Sequence, residues 1–290
     1  MQWLLKPWYI YRPSQIFRRV VRTVFPDSGP MQEVRLPWGC PIEINVDETI
    51  GRAVWTTGIY DLAVVETLWR LADPNLLSLD VGANIGAMTG ALARRSAEVW
   101  AFEPHPTLNR RLTANVSRFH DRQGYAPCRV LEVAASDCDG EADLILPSDF
   151  ATNNGTARLE PTNGATGIAV RTSRLDTLLD DREIGVMKLD VEGHEAAVLR
   201  GARNALETER IRNIVFEDHG HEESEVRRML KEHGYSIFSI GWKIFGPMLD
   251  DESRPASHAF EAPNFLATRD SQRALERLRP RGWDSLRRAG

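Results

Sequence analysis

From Leu76 onward the chain alternates short apolar runs with stretches whose apolar residues recur every three or four positions. Leu76–Val81 reads as a buried strand, after which Ile85, Met88 and Leu92 fall on one helical face. Glu98–Phe102 is a second strand, and the helix after it turns Leu108, Leu112, Val116 and Phe119 inward; Arg129–Ala134 is a third strand. Residues 140–172 break the rhythm with Gly, Asn and Thr, and short strands are expected there at 141–146 and 167–172. It resumes with a strand over Gly185–Val191, a helix over 194–206 (Val198, Leu199, Ala202, Leu206 inward) and a strand over Ile211–Glu217. A helix from Glu222 to His233 closes on Gly234 as a C-cap, and Tyr235–Ile240 with Asn264–Thr268 suggests a terminal antiparallel hairpin.

Ahead of this core, Leu62, Val65, Trp69 and Ala72 have helical spacing, ended by Asp73-Pro74. Residues 33–58 alternate and carry Pro37, Gly39, Pro41 and Gly51, which predicts a small β-hairpin. The Arg-rich tail after Asp270 predicts a surface helix. Strands alternating with helices require a mostly parallel sheet with right-handed crossovers, so the fold class is α/β and Rossmann-like, with helices on both faces. Three parts follow: an arm and hairpin over 1–58, the α/β domain over 59–270 and a tail over 271–290.

Composition narrows the function. The 290 residues carry a net charge of −5, against the basic footprint of a nucleic-acid binder. No apolar run approaches the roughly 20 residues of a membrane span, so a cytoplasmic protein without a transmembrane segment is expected. Cys40, Cys128 and Cys138 are widely spaced and read as isolated reduced thiols. The first 26 residues are unusual: Lys6, Arg12, Arg18, Arg19 and Arg22 face no acid and are interleaved with Trp3, Trp8, Tyr9, Tyr11, Phe17 and Phe25. Lys6 and Arg12 interrupt any signal-peptide core. Two readings stand: an arm packed on the domain or on a second subunit of a homodimer, or a segment adsorbing to an anionic membrane surface.

Asp80-Val81-Gly82-Ala83-Asn84-Ile85-Gly86 sits where a strand gives way to a helix, a place where glycines let a ligand approach the backbone. Its spacing, D-x-G-x-N-x-G, lacks the second glycine of the dinucleotide fingerprint, which disfavours a nicotinamide dehydrogenase. Asp80 suits a ligand carrying an ammonium group, as S-adenosylmethionine does. Glu103 ends the next strand, where a carboxylate can take both ribose hydroxyls, and Asp137 follows the third strand, where an acceptor could meet an adenine amino group.

Several segments together resemble the FkbM-type methyltransferases. They are LSLDVGANIG (77–86), AFEPHPTLNRRLTANV (101–116), AASDCDGEADLILP (134–147), SRLDTLL (173–179), KLDVEGHEAAVLRGARNAL (188–206) and IVFEDH (214–219), within a stretch from about Tyr60 to Asp218. The resemblance implies a Rossmann-like sheet with an antiparallel last strand, S-adenosylmethionine as donor, and O-methylation of natural-product or sugar hydroxyls. It implies Asp80, Gly82, Asn84, Gly86, Glu103 and Asp137 as cofactor contacts.

Two more strand ends fall on the same sheet edge, at Lys188–His194 and Glu217–His219. Asp190 and Glu192 project to one side if the strand continues, as do Glu217 and His219. An alcohol is a poor nucleophile at neutral pH and needs a base, for which His219, supported by Asp190 or Glu217, is the candidate, with Glu192 a further acid. The competing readings are that Glu192 and Glu195 favour the start of the next helix, or that these groups hold a divalent metal, which is not expected. Thr152–Thr156 is expected as a polar wall of the acceptor pocket. The acceptor is then a small molecule, a glycan or a peptide. N-methylation of a peptide or amide is the rival chemistry, and a non-catalytic cofactor-binding protein the rival class.

Overall fold

A computed structural model describes residues 7–17, 20, 29–150, 152–153, 157–160, 167–218, 224–254 and 263–287. The predicted rhythm becomes an eight-stranded sheet with spatial order β13-β12-β14-β11-β10-β3-β4-β5. Its parallel part comprises β3 (Leu77–Val81), β4 (Glu98–Phe102), β5 (Cys128–Leu131), β10 (Ile184–Leu189) and β11 (Asn213–Glu217). Next to β11, β14 (Asn264–Thr268) runs antiparallel, pairing Glu217 with Asn264 and Asn213 with Thr268. β12 (Ser236–Lys243) lies antiparallel to β14, and β13 (Gly246–Asp251) antiparallel to β12.

Alternation along the strands builds a core on each side. Leu77, Leu79 and Val81 of β3 face the helices Leu175–Leu179, Glu195–Gly201, Arg203–Glu207 and Glu225–Glu232, through Leu175, Val198, Leu206 and Leu230. The opposite face is covered by the helices Leu62–Leu71, Thr89–Ala93 and Pro106–Ser117, through Leu68, Leu92 and Leu112. Helices on both faces are what a parallel sheet buried on two sides demands. β6 (Ala134–Ala135), β7 (Gly140–Ile145), β8 (Arg158–Glu160) and β9 (Ile168–Ser173) form a separate four-stranded sheet, order β6-β9-β7-β8.

Several expected elements differ. β1 (Met31–Arg35) and β2 (Pro41–Asn45) are the expected hairpin, but the segment after them is a helix, Thr49–Thr57. The helix expected from Ile85 begins only at Thr89, because Asn84 (φ 52°) and Gly86 (φ 85°) hold the preceding loop in left-handed conformations. The third strand stops at Leu131, and Ala134–Ala135 leaves it to pair with β9. The helix over 194–206 breaks at Ala202. β12 and β14 are antiparallel neighbours as expected, yet the hairpin partner of β12 is β13, a strand unforeseen in Gly246-Pro247 and the acids that end it. The tail forms the surface helix Ser271–Leu278 and then turns inward, burying Trp283 and Leu286.

Candidate active site

The ends of β3, β4, β10 and β11 frame a cleft of about 910 Å³. Asp80 closes its floor, fully buried on β3. Thr89 Oγ1 donates to Asp80 Oδ2 at 2.7 Å, and the Lys188 ammonium lies 3.8 Å from Oδ1. That Oδ1 is buried without a hydrogen-bond partner among the described residues. Burial pushes the Asp80 carboxyl above its usual range, opposed by Lys188 and the Thr89 hydrogen bond. Above it Gly82 adopts φ 81°, and a Cβ there would stand 1.8 Å from the carbonyl oxygen of Asp190. Glycine is what allows the two strand ends to meet.

Glu103 is held by the loop it faces. Asn84 N and His105 N each donate to it at 2.9 Å, one to each carboxylate oxygen, and Asn109 Nδ2 donates to its carbonyl at 3.0 Å. Burial nevertheless pushes Glu103 up to about 7, against the backbone hydrogen bonds and the Lys188 charge. The geometry follows from the turn: Pro106 opens the next helix at N1, and His105 Nδ1 caps it by accepting from Thr107 N and Leu108 N at 3.1 and 3.4 Å.

On the other side, Lys188 is buried at the centre of a carboxylate set. Its ammonium donates to Gly82 O at 2.7 Å and pairs with Asp190 Oδ2 at 3.1 Å. Burial works to lower its pKa, but Asp190 and Asp80 outweigh it and hold the group cationic. β10 ends at Leu189, so Asp190 and Glu192 are not successive strand residues; Glu192 turns the chain at φ 54°. Both still line the cleft, together with Glu217 from the end of β11 and Tyr60. Burial, then the nearby carboxylates of Asp190, Asp61, Glu217 and Glu192, pushes the Tyr60 phenol far above its ordinary range.

The cleft thus brings together Asp80, Gly82, Asn84, Glu103, Asp190, Glu192 and Glu217. Gly86 and Asp137 are not among its lining residues. A Cβ on Gly86 would fall 2.8 Å from Leu112 Cδ1, so Gly86 fits the loop to the helix behind it. Asp137 stands 40% exposed in an ion pair with Arg200 at 3.1 Å, beside an apolar slot lined by Val81, Phe102, Val133, Ala135, Leu144 and Val191. Glu195 Oε1 accepts from Val191 N and Gly193 N at 3.1 and 3.2 Å, so the acid in the first turn of its helix also holds the loop before it. His194 Nε2 meets Ser136 Oγ at 2.9 Å. His219 lies outside the described residues, as do residues 154–156 of the expected polar wall; Asn153 of that wall does line the cleft. Lys188 and Tyr60 were not singled out from the sequence. Lys-x-Asp at the end of a buried strand was the available signal for the lysine, since a cation there needs carboxylate partners. Among the described residues no three His, Cys, Asp or Glu side chains form a group that could hold a metal ion.

The residues present fit S-adenosylmethionine. A buried carboxylate oxygen without a hydrogen-bond partner suits its ammonium, a second carboxylate at the next strand end suits its ribose, and the apolar lining of the slot suits its base. The fold is that of a Rossmann-like α/β methyltransferase. The methyltransferase FkbM domain model matches residues 80–237, and the chain belongs to that family. It is 31% identical over 173 residues to the hexuronic acid methyltransferase AglP of Haloferax volcanii, covering 58% of this chain and 67% of that protein. It is 31% identical over 247 residues to the 31-O-demethyl-FK506 methyltransferase FkbM of Streptomyces tacrolimicus, covering 72% and 91%. A crystal structure of methyltransferase FkbM from Methylobacillus flagellatus is similar at TM-score 0.44 and 16% identity, covering 67% of this chain; the chain spans 44% of that one.

Proposed function

We propose that this S-adenosylmethionine-dependent methyltransferase methylates a hydroxyl of a neutral sugar or polyhydroxylated specialised metabolite. The observation that carries this is the carboxylate rim of the cleft: Asp190, Glu192 and Glu217 surround the space beside the donor loops, with the buried Lys188 already paired to Asp190. Carboxylates accept hydrogen bonds from sugar hydroxyls and repel a carboxylate on an incoming ligand. Hence the acceptor class differs in charge from the hexuronic acid named for AglP.

On the donor side, Asp80 and Glu103 bind the ammonium and the ribose hydroxyls, and Gly82 and Asn84 give the backbone room to do so. When bound, S-adenosylmethionine supplies an electrophilic methyl group. Asp137 borders the apolar slot and is assigned to the adenine edge, with Arg200 competing for it. Asp190 and Glu217 orient the acceptor hydroxyl, and His219, next but one after Glu217, takes its proton; a histidine with ordinary pKa near 6.5 is suited to this at neutral pH.

Transfer of labelled methyl groups should therefore run on neutral glycosides in preference to the matching uronides. His219→Ala should keep donor affinity within about threefold while lowering kcat by roughly 10²-fold, the scale of general-base loss, and EDTA should leave the wild-type rate unchanged. Preference for uronides would refute the acceptor class. Loss of activity in EDTA, restored by Mg²⁺ or Mn²⁺, would turn His219, Asp190 and Glu217 from base and supports into ligands.

A further inference from the structure

The chain's charge is unevenly placed. Overall it carries −5, yet its first 26 residues hold five basic and no acidic residues, and its last fourteen hold five arginines against Asp284 alone. The rest of the molecule is therefore strongly acidic. Described residues from both ends meet at one place in the structure. Trp8 packs on Trp242 of β12 with ring centroids 5.9 Å apart. From the other end, Trp283 Nε1 donates to the Ile244 carbonyl at 3.1 Å and Gly282 N to the Phe245 carbonyl at 2.7 Å. Both termini thus converge on the turn between β12 and β13.

Among the described residues seven large hydrophobic side chains are exposed: Ile244 and Phe245 form the turn itself, Leu275 lies on the tail helix, Ile10, Phe17 and Val20 belong to the arm, and Met31 opens β1. Phe17 is 72% exposed and Phe245 63%. The turn and the tail beside it carry exposed cations in Lys243, Arg277, Arg279, Arg281 and Arg287, against Glu276 and Asp284, the latter paired with Arg287 at 3.6 Å. In sequence, Arg18 and Arg19 separate Phe17 from Val20.

The patch is oriented by the sheet. β14 is antiparallel to β11 and β12 antiparallel to β14, so β12 runs in the direction of β11. Its turn leaves the sheet on the edge where β3, β10 and β11 end and where Asp80, Asp190 and Glu217 line the cleft. Tyr9 OH donates to Thr56 O at 3.3 Å, which ties the arm to the helix whose first residues, Thr49 and Ile50, line the cleft.

We propose that this surface docks on an anionic membrane, with the cleft edge turned toward the bilayer. Aromatic and aliphatic side chains enter the headgroup boundary, and the surrounding arginines and lysines meet the lipid charge. A second copy of the chain is a poorer partner, because a two-fold contact through this patch sets like charges against one another.

The test is cosedimentation of the full-length protein with phosphatidylcholine vesicles, with and without phosphatidylglycerol. Binding is expected only with the anionic lipid, weakening as salt rises. Replacing Arg279→Gln with Arg281→Gln should weaken it by roughly fivefold for each cation removed. Ile244→Ser with Phe245→Ser should weaken it at least as much, while leaving Tm and transfer to a soluble acceptor unchanged. No binding to anionic vesicles overturns the proposal, as does binding that is insensitive to both double variants. A dimer in sedimentation that the Ile244/Phe245 variant dissociates, without vesicle binding, reassigns the patch to contact between copies.

Discussion

Glu103 shows how one residue's surroundings set a measurable behaviour of the site. Its carboxyl is almost wholly withdrawn from water, which favours the neutral form, while a bound ribose would favour the ionised form by donating to it. With the carboxyl at about 7, donor binding should expel a proton. Affinity for S-adenosylmethionine is then expected to rise about eightfold from pH 6 to 7.5, with Asp80 shifted in the same direction. The stability of the unliganded fold moves oppositely. Between the ordinary value of 4.5 and about 7 the folded state holds a proton that the unfolded state has lost, so this group's contribution declines as pH rises. Calorimetry of wild type and Glu103→Gln checks both: the variant should bind more weakly and lose most of the pH slope. A flat wild-type affinity over that range would refute the role. The carboxylate's place in the site was legible from its position at a strand end. Its pKa was not, because desolvation depends on how Asn84, His105 and Asn109 close over it. The same holds for Lys188, whose partners Asp80 and Asp190 come from strands far apart in sequence.

Among the elements, the parallel strands were the most legible, since each is a short apolar run and the register of β3 against β4 pairs Leu77 through Val81 with Glu98 through Phe102 without a break. Strand ends and loops were less so. A strand expected to carry Asp190 and Glu192 onward stops at Leu189, and the turn that replaces it depends on how closely Asp190 passes Gly82. That approach is testable. Gly82→Ala places a methyl group 1.8 Å from the Asp190 carbonyl oxygen in a backbone of φ 81°, so the two strand ends must part. Gly193→Ala shares the left-handed backbone, φ 94°, but meets nothing within 4 Å. The first should weaken donor binding by at least roughly tenfold, about 1.4 kcal/mol, and the second by much less. Equal losses in the two variants, measured by calorimetry, would show that strain alone and not the close approach matters.

At the scale of the whole molecule, the tail that periodicity marked only as a surface helix closes the structure. Glu66 and Arg70 form a buried i,i+4 pair at 2.5 Å on the helix Leu62–Leu71, and the tail satisfies both. Glu66 accepts from Asp284 N at 2.8 Å, Ser285 N at 2.8 Å and Ser285 Oγ at 2.5 Å. Arg70 donates to Pro280 O at 2.7 Å and Gly282 O at 2.8 Å. Sequence periodicity could not show this, since the partners lie more than 200 residues apart and are mostly backbone atoms. Truncation after Leu278 removes all five hydrogen bonds and the buried Trp283, leaving two charges in a place built to exclude water. Hydrogen bonds to charged groups are worth about 1.5–3 kcal/mol each, and they act here as one network, so a loss of at least about 3 kcal/mol is expected. For a domain of this size that lowers Tm by roughly 6–12 °C. Replacing the pair as well, Glu66→Leu with Arg70→Met in the truncated chain, should recover part of the loss, because the stranded charges go with it. Differential scanning calorimetry of the three proteins decides the matter. A truncated chain within 2 °C of wild type, as read in that experiment, would mean the tail is the peripheral element that its arginines suggest. The consequence reaches the cleft, since Asp61 caps this helix by accepting from Val64 N at 3.0 Å and also takes a hydrogen bond from Asn264 at the end of β14. Loosening the helix at Glu66 therefore loosens the wall that carries Tyr60, and KM for the acceptor should rise in the truncated protein before donor affinity changes.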